Sequence, residues 1–211
     1  MSLAVRENIL NKIRQALTKP VTIPFPERSN SESIYQPSIQ ELELEFAENF
    51  TKLQGRFSFC ANKEELVQQL CELVSTRNWT KVICKENILQ QQLIANNFNQ
   101  LNNTVSLTDC DAAITTCESL VARTGSMVLV NNTESGRTYS VYAPVHICIA
   151  YTSQLVYDIA DSLTKMKAKY GNSLPSVISL ATGPSRTADI EKTLVVGVHG
   201  PKEVFCFLVD G

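Results

Sequence analysis

Between Arg56 and Phe98 the chain alternates short β-prone runs with amphipathic helical patterns, and this alternation limits the fold more than any other feature. RFSFC (56–60) leads into a segment opened by Asn62, with Leu66, Leu70 and Leu73 at helical spacing. KVICK (81–85) leads into a second helical segment near Glu86 to Phe98, and TVSL (104–107) reads as a further strand. Strand and helix in turn, with short connections, build a parallel sheet covered by helices. Beyond Asp109 the texture changes. DAAIT, SMVLV, TYSVY, VHICIAY, SVISLAT and EVFCFLV all read as strands, with helices near Tyr157 to Tyr170 and after Ser185. The Asn- and Gly-containing NNTESGR between SMVLV and TYSVY has hairpin chemistry, so an α/β fold with a mixed sheet is expected.

The first part of the chain is different. Val5, Ile9, Ile13 and Leu17 recur every four residues, which gives a narrow apolar stripe on a helix over Leu3 to Thr18. Pro20, Pro24, Pro26 and Pro37 then forbid regular hydrogen bonding, so residues 19–37 are expected to form an extended arm. Ser38 and Glu41 have the spacing of a capping box, and Ile39, Leu42, Phe46, Phe50 and Leu53 continue a helix up to Gly55. The expected organisation is an N-terminal helix and arm over 1–37 and one domain over 38–211, within reach of a chain of 211 residues.

A formal charge of −2 offers no basic excess of the kind that neutralises phosphate backbones, so nucleic acid is not an expected partner. Arg6 and Glu7 interrupt the stretch a signal peptide would need, and no apolar run reaches membrane-spanning length. The expectation is a cytoplasmic protein without membrane insertion. Seven cysteines, at 60, 71, 84, 110, 117, 148 and 206, include no CxxC pair, which argues against a disulfide framework, a zinc site or an iron–sulfur cluster. Cys84, Cys148 and Cys206 sit in apolar runs as small core residues would. No metal and no other cofactor is expected.

Chemistry is expected in the C-terminal half, where six of the eight glycines lie between Gly125 and Gly200 together with His146 and His199. SVISLATGPSRTADIEKTLVVGVHGP (176–201) reads as a strand, a Thr182-Gly183-Pro184-Ser185 loop at its carboxyl end, and a helix starting near Thr187. Loop amides and a helix N-terminus form an anion cradle at the edge where open α/β sheets bind ligands. Asp189 and Glu191 would sit early in that helix and repel an anion, so Arg186 or Arg137 must supply a cation. Glu191 is a candidate general acid or base, although plain stabilisation of a helix start accounts for it equally well. His199, in GVHGP, is a candidate proton shuttle or a turn residue bonded to backbone, whereas His146 reads as a satisfied or surface strand residue. Thr124, Gly125 and Ser126 add hydroxyls and a permissive backbone ahead of a strand.

ARTGSMVL, GRTYSVYAPVHI and TGPSRTADIEKTLVVGVHGP, in that order, closely resemble the LUD domain of the lactate-utilisation protein C (YkgG-like) family. The resemblance spans roughly residues 60–211. It implies a NagB/RpiA/CoA-transferase-like fold and a role beside two iron–sulfur subunits in oxidising L-lactate to pyruvate. Two departures stand out: Arg123 where the family commonly has an acidic residue, altering the charge of any nearby pocket, and SVYAP where members often read SLLP. The expected function is a non-iron–sulfur subunit that binds a small anionic ligand through residues 124–126, Arg137 and residues 182–187. Two alternatives remain open: a free-standing isomerase- or transferase-like enzyme using Glu191 or His199, and a structural or regulatory partner without catalysis.

Overall fold

The computed structural model describes residues 3–18, 38, 40–188 and 194–211. The chain divides into two units, Met1–Pro37 and Ser38–Gly211. The first contains α1 (Leu3–Leu17), which carries the four-residue apolar stripe, and the proline-rich arm lies outside the described residues.

The second unit opens with α2 (Leu42–Lys52), followed by β1 (Arg56–Cys60), α3 (Lys63–Thr76), β2 (Val82–Cys84) and α4 (Asn87–Ala95). The middle of the chain supplies β3 (Ala112–Thr116), β4 (Ser119–Val121), β5 (Ser126–Val130), the one-turn helix α5 (Tyr139–Tyr142), β6 (Val145–Tyr151) and β7 (Leu155–Val156). It ends with α6 (Ile159–Tyr170), β8 (Ile178–Ala181), β9 (Arg186–Ala188), β10 (Leu194–Val196) and β11 (Glu203–Val209). Five strands form an all-parallel sheet in the order β1-β11-β6-β3-β2. The mixed character belongs to a separate four-stranded sheet, β7-β4-β5-β8, with β9 and β10 as a small antiparallel ladder.

Period-2 alternation in the central strands gives each face its own core. Val145, Ile147 and Ile149 of β6 join Phe205, Phe207 and Val209 of β11 beneath α3 and α4, which contribute Leu66, Leu70, Val74, Leu89 and Leu93. On the opposite face Cys148, Ala150, Val204, Cys206 and Leu208 meet Phe46 and Phe50 of α2 and Leu120, Met127 and Leu155 of the smaller sheet. Full burial of a ring such as Phe46 or Phe50 contributes about 2 kcal/mol. Met166 of α6 closes a third cluster with Val121, Val128, Val130 and Val156.

Several local expectations change. TYSVY is helical at Tyr139–Tyr142, where the Tyr142 amide donates to the Thr138 carbonyl at 2.8 Å; four residues are too few to separate the two periods, and Tyr139 packs against Ala113 and Ala143. NNTESGR therefore makes no hairpin, and the antiparallel partners of β5 are β4 and β8. TVSL forms no strand: Ser106 bonds the Asp109 carboxylate at 2.8 Å and a 3-10 turn spans Leu107–Asp109. The helix starts at Leu42 without a side-chain cap, because the Ser38 hydroxyl is engaged by the Gln40 carbonyl and the Glu45 carboxylate. The helix expected from Thr187 is replaced at its described residues by the β9–β10 ladder, in which Arg186 faces Val196 and Thr187 faces Val195. The β-branched Val195 and Val196 give that stretch a strand partner, and the Gly197 turn (φ +79°) follows it.

Candidate functional site

A cleft of about 630 Å³ opens between the end of β8, α5 and the loops that enter β6 and β11. Its walls include Leu129, Leu180, Val141 and Val204, and its polar lining includes Arg137, Ser140, His146, Ser179 and His199. The chain leaves β8 through Thr182, Gly183, Pro184 and Ser185, all four of which line the cleft. The cleft was expected at the carboxyl edge of the main sheet. It lies instead beside His146 and Val204, at the amino ends of β6 and β11, because β8 belongs to the smaller sheet and delivers its loop there.

The loop is held from both sides. The Ser185 amide donates to the Pro201 carbonyl at 3.0 Å, and the Gly197 amide donates to the Ser185 carbonyl at 2.9 Å. Gly183 has φ +82°, and a Cβ there would stand 2.5 Å from the Leu53 carbonyl oxygen, so only glycine fits. Any larger residue at 183 disturbs folding before it reports on ligand binding.

Of the expected site residues, Arg137, Thr182, Gly183, Pro184, Ser185 and His199 share the cleft. Arg137 is exposed and makes no ion pair or side-chain hydrogen bond with any described residue. Arg186 turns away, donating from Nη2 to the Leu53 carbonyl at 2.6 Å, and neither it nor Thr187 lines the cleft. Thr124, Gly125 and Ser126 also lie outside the lining: a Cβ on Gly125 would come within 2.5 Å of the Phe50 nitrogen, so this glycine seats α2. Their hydroxyls connect to the loop through Thr124, Ser126 and Thr182, at 2.8 Å and 2.7 Å. Asp189 and Glu191 lie outside the described residues.

His146 is the residue the sequence undervalued. It sits in β6 opposite Ala113 and Val204, is 1% exposed, and still lines the cleft. Its Nε2 lies 2.8 Å from the Thr115 hydroxyl. Burial pulls the imidazole down to about 4, so it is neutral near pH 7. The pattern VHICIAY shows only that His146 alternates with apolar residues; its partner stands on another strand, where no local signal reaches.

A family model for the LUD domain matches residues 44–209, which run from α2 to β11 and include the whole cleft. The chain belongs to the LUD domain family. Relatives of this LUD domain include an uncharacterized protein of Neisseria meningitidis, 36% identical over 97 residues that make up 46% of this chain and 41% of the relative. Lactate utilization protein C of Bacillus subtilis is 36% identical over 102 residues, 47% of this chain and 42% of the relative. Lactate utilization protein C of Oceanobacillus iheyensis is 30% identical over 149 residues, 70% of this chain and 57% of the relative. The chain thus covers less than two thirds of the length of each. A crystal structure of a DUF162 family protein from Deinococcus radiodurans superposes with a TM-score of 0.60 at 18% identity, covering 82% of this chain and 99% of the other, which shows a shared fold.

Two charged groups of the LUD domain that could bear on the cleft are engaged elsewhere. Arg123 was expected to change the charge of a nearby pocket; its Nε donates to Asp158 at 2.6 Å, and it does not line the cleft. Glu86, which the sequence marked only as a helix start, is buried. It accepts from the Thr116 amide at 3.0 Å, the Thr116 hydroxyl at 2.6 Å and the Ser135 hydroxyl, fixing the strand end next to Thr115.

Proposed function

We propose that this LUD domain is the cluster-free component of a system oxidising L-lactate to pyruvate, and that it binds an anionic ligand in the β8–α5 cleft. The lactate role is supported by the relatives named Lactate utilization protein C. The observation that carries the ligand reading is the convergence of Arg137, without an ionic partner among the described residues, with His199 and the Thr182–Ser185 loop on one concave surface. A guanidinium supplies paired donors suited to a carboxylate. A lactate-sized acid would occupy one part of a cleft this large, and the apolar wall around Leu129, Leu180 and Val204 has room for the body of a longer acid. Iron–sulfur subunits would carry the electrons, since the cysteine spacing of this chain does not build a cluster site. His199 remains the candidate for proton transfer on the cleft wall.

Thermal unfolding with added L-lactate, pyruvate, phosphate or sulfate tests the ligand reading. A ligand at about 100 times its Kd adds about 2.7 kcal/mol and raises Tm by a few degrees. That rise should vanish in Arg137→Gln while the Tm of the ligand-free protein holds. If no anion moves Tm, the cleft is not an anion site. Co-purification with the iron–sulfur subunits tests the assembly separately.

A further inference from the structure

We infer that the cleft presents a bare hydrogen-bond acceptor, Nδ1 of His146, and therefore selects acids carrying a hydroxyl over their keto counterparts. This deepens the anion-binding reading and rests on it.

The argument begins with the Thr115 hydroxyl, which has a single hydrogen. The Thr116 carbonyl, 3.1 Å away, can only accept, and we assign the hydrogen to it. With that assignment its oxygen, 2.8 Å from His146 Nε2, accepts, and Nε2 carries the imidazole proton. A neutral ring has only one proton, and Nδ1 is consequently a lone-pair acceptor. Among the described residues, every side-chain nitrogen or oxygen sealed from solvent has a hydrogen-bond partner. Nδ1 has no such partner, so it is the edge of this otherwise buried ring that the cleft reaches.

An acceptor with one open edge, in a mostly apolar wall, discriminates by what meets it. A hydroxyl donates to it. A keto oxygen turns lone pair to lone pair, and a methylene leaves the acceptor desolvated and unpaired. Thr115 is the positioning residue, since it decides which nitrogen bears the proton. The chemistry fits a hydroxy acid, whose carboxylate meets Arg137 and whose hydroxyl meets His146. An oxidised product would be released from this wall more readily than the substrate.

Matched acids test this directly: L-lactate against pyruvate and propionate, and 2-hydroxyoctanoate against 2-oxooctanoate and octanoate. Calorimetry should show the hydroxy acid of each set binding about tenfold or more tightly than its two partners, the cost of one unpaired buried acceptor. The chain has two histidines, so ¹⁵N spectra of the imidazoles are simple to read. His146 should show an unprotonated Nδ1 whose resonance moves on adding the hydroxy acid and holds with the keto acid. Thr115→Val should release the tautomer and narrow the hydroxy-to-keto gap, and His146→Phe should bring lactate down to the level of propionate. The spectra of the unmodified protein decide the matter if either variant folds poorly. Equal binding within each set, or a protonated Nδ1, overturns the inference and leaves the anion site standing. Failure of all six acids to bind overturns the inference, and removes the anion site as well if phosphate and sulfate also leave Tm unmoved.

Discussion

A histidine in the middle of a sheet makes stability depend on pH in a direction that can be worked out. The unfolded imidazole has its ordinary value of 6.5 and the folded one about 4. Above pH 6.5 both states are neutral and the full stability is present. Between 6.5 and 4 the unfolded chain takes a proton that the native ring refuses, and stability falls as pH falls; below 4 the loss is complete. At about 1.4 kcal/mol for each pH unit of difference, the loss is on the order of 3 kcal/mol. Urea unfolding at pH 7 and pH 4.5 should therefore show a larger drop for the native protein than for His146→Phe, and parallel drops would mean the ring is not the source. What the sequence disclosed at this scale was polar chemistry carried by nearby loops. Arg137, His199 and Thr182–Ser185 do share a cleft. Thr124–Ser126 do not line it, because Gly125 is needed against the backbone of α2, 75 positions earlier at Phe50. The Thr115–His146 pair joins two strands 31 residues apart, and no spacing rule anticipates it.

At the scale of elements, long periodic segments were legible and short ones were not. α3, α4 and α6 follow their apolar spacing, and the Asn62 side chain caps α3 by accepting from the Glu65 amide at 2.8 Å. β4 and β7, of three and two residues, are too brief to show a period, and β9–β10 owes its form to strand pairing that the helix-like ADIEK hides. The start of α6 is a junction of two devices on one carboxylate. Asp158 accepts from the Ala160 amide at 3.0 Å and from Arg123 at 2.6 Å, while its own amide donates to Asp161 at 2.9 Å. The Ala160 amide and then the Arg123 guanidinium hold the Asp158 carboxyl below its usual range. Asp158→Ala should cost about 1–2 kcal/mol in urea unfolding, whereas Asp158→Asn, which keeps the cap and loses the charge, should cost less than half of that. Equal losses would place the stabilisation in the ion pair.

For the whole molecule, the α/β architecture was legible in the alternation over Arg56–Phe98, and the division into two stacked sheets was not, since strand order depends on contacts far apart in sequence. Packing on both faces of the parallel sheet hides the cysteines. Cys60, Cys84, Cys110, Cys117, Cys148 and Cys206 are buried, and Cys71 alone of the seven is half-buried. Burial pushes the Cys60 thiol up to about 11 and Cys84 up to about 12, so little reactive thiolate exists at neutral pH even when a reagent arrives. A chromogenic disulfide reagent should therefore modify one thiol per chain quickly, at Cys71, and the other six only as the core opens. More than one fast equivalent would contradict the packing. Because Cys60, Cys148 and Cys206 stand on three neighbouring strands of the parallel sheet, the edge strand β1 and then β6 and β11 further in, the slow phase times the parting of those strands. Without any added label, the chain carries a clock for its own rarest excursions, readable at the pH and temperature at which it works.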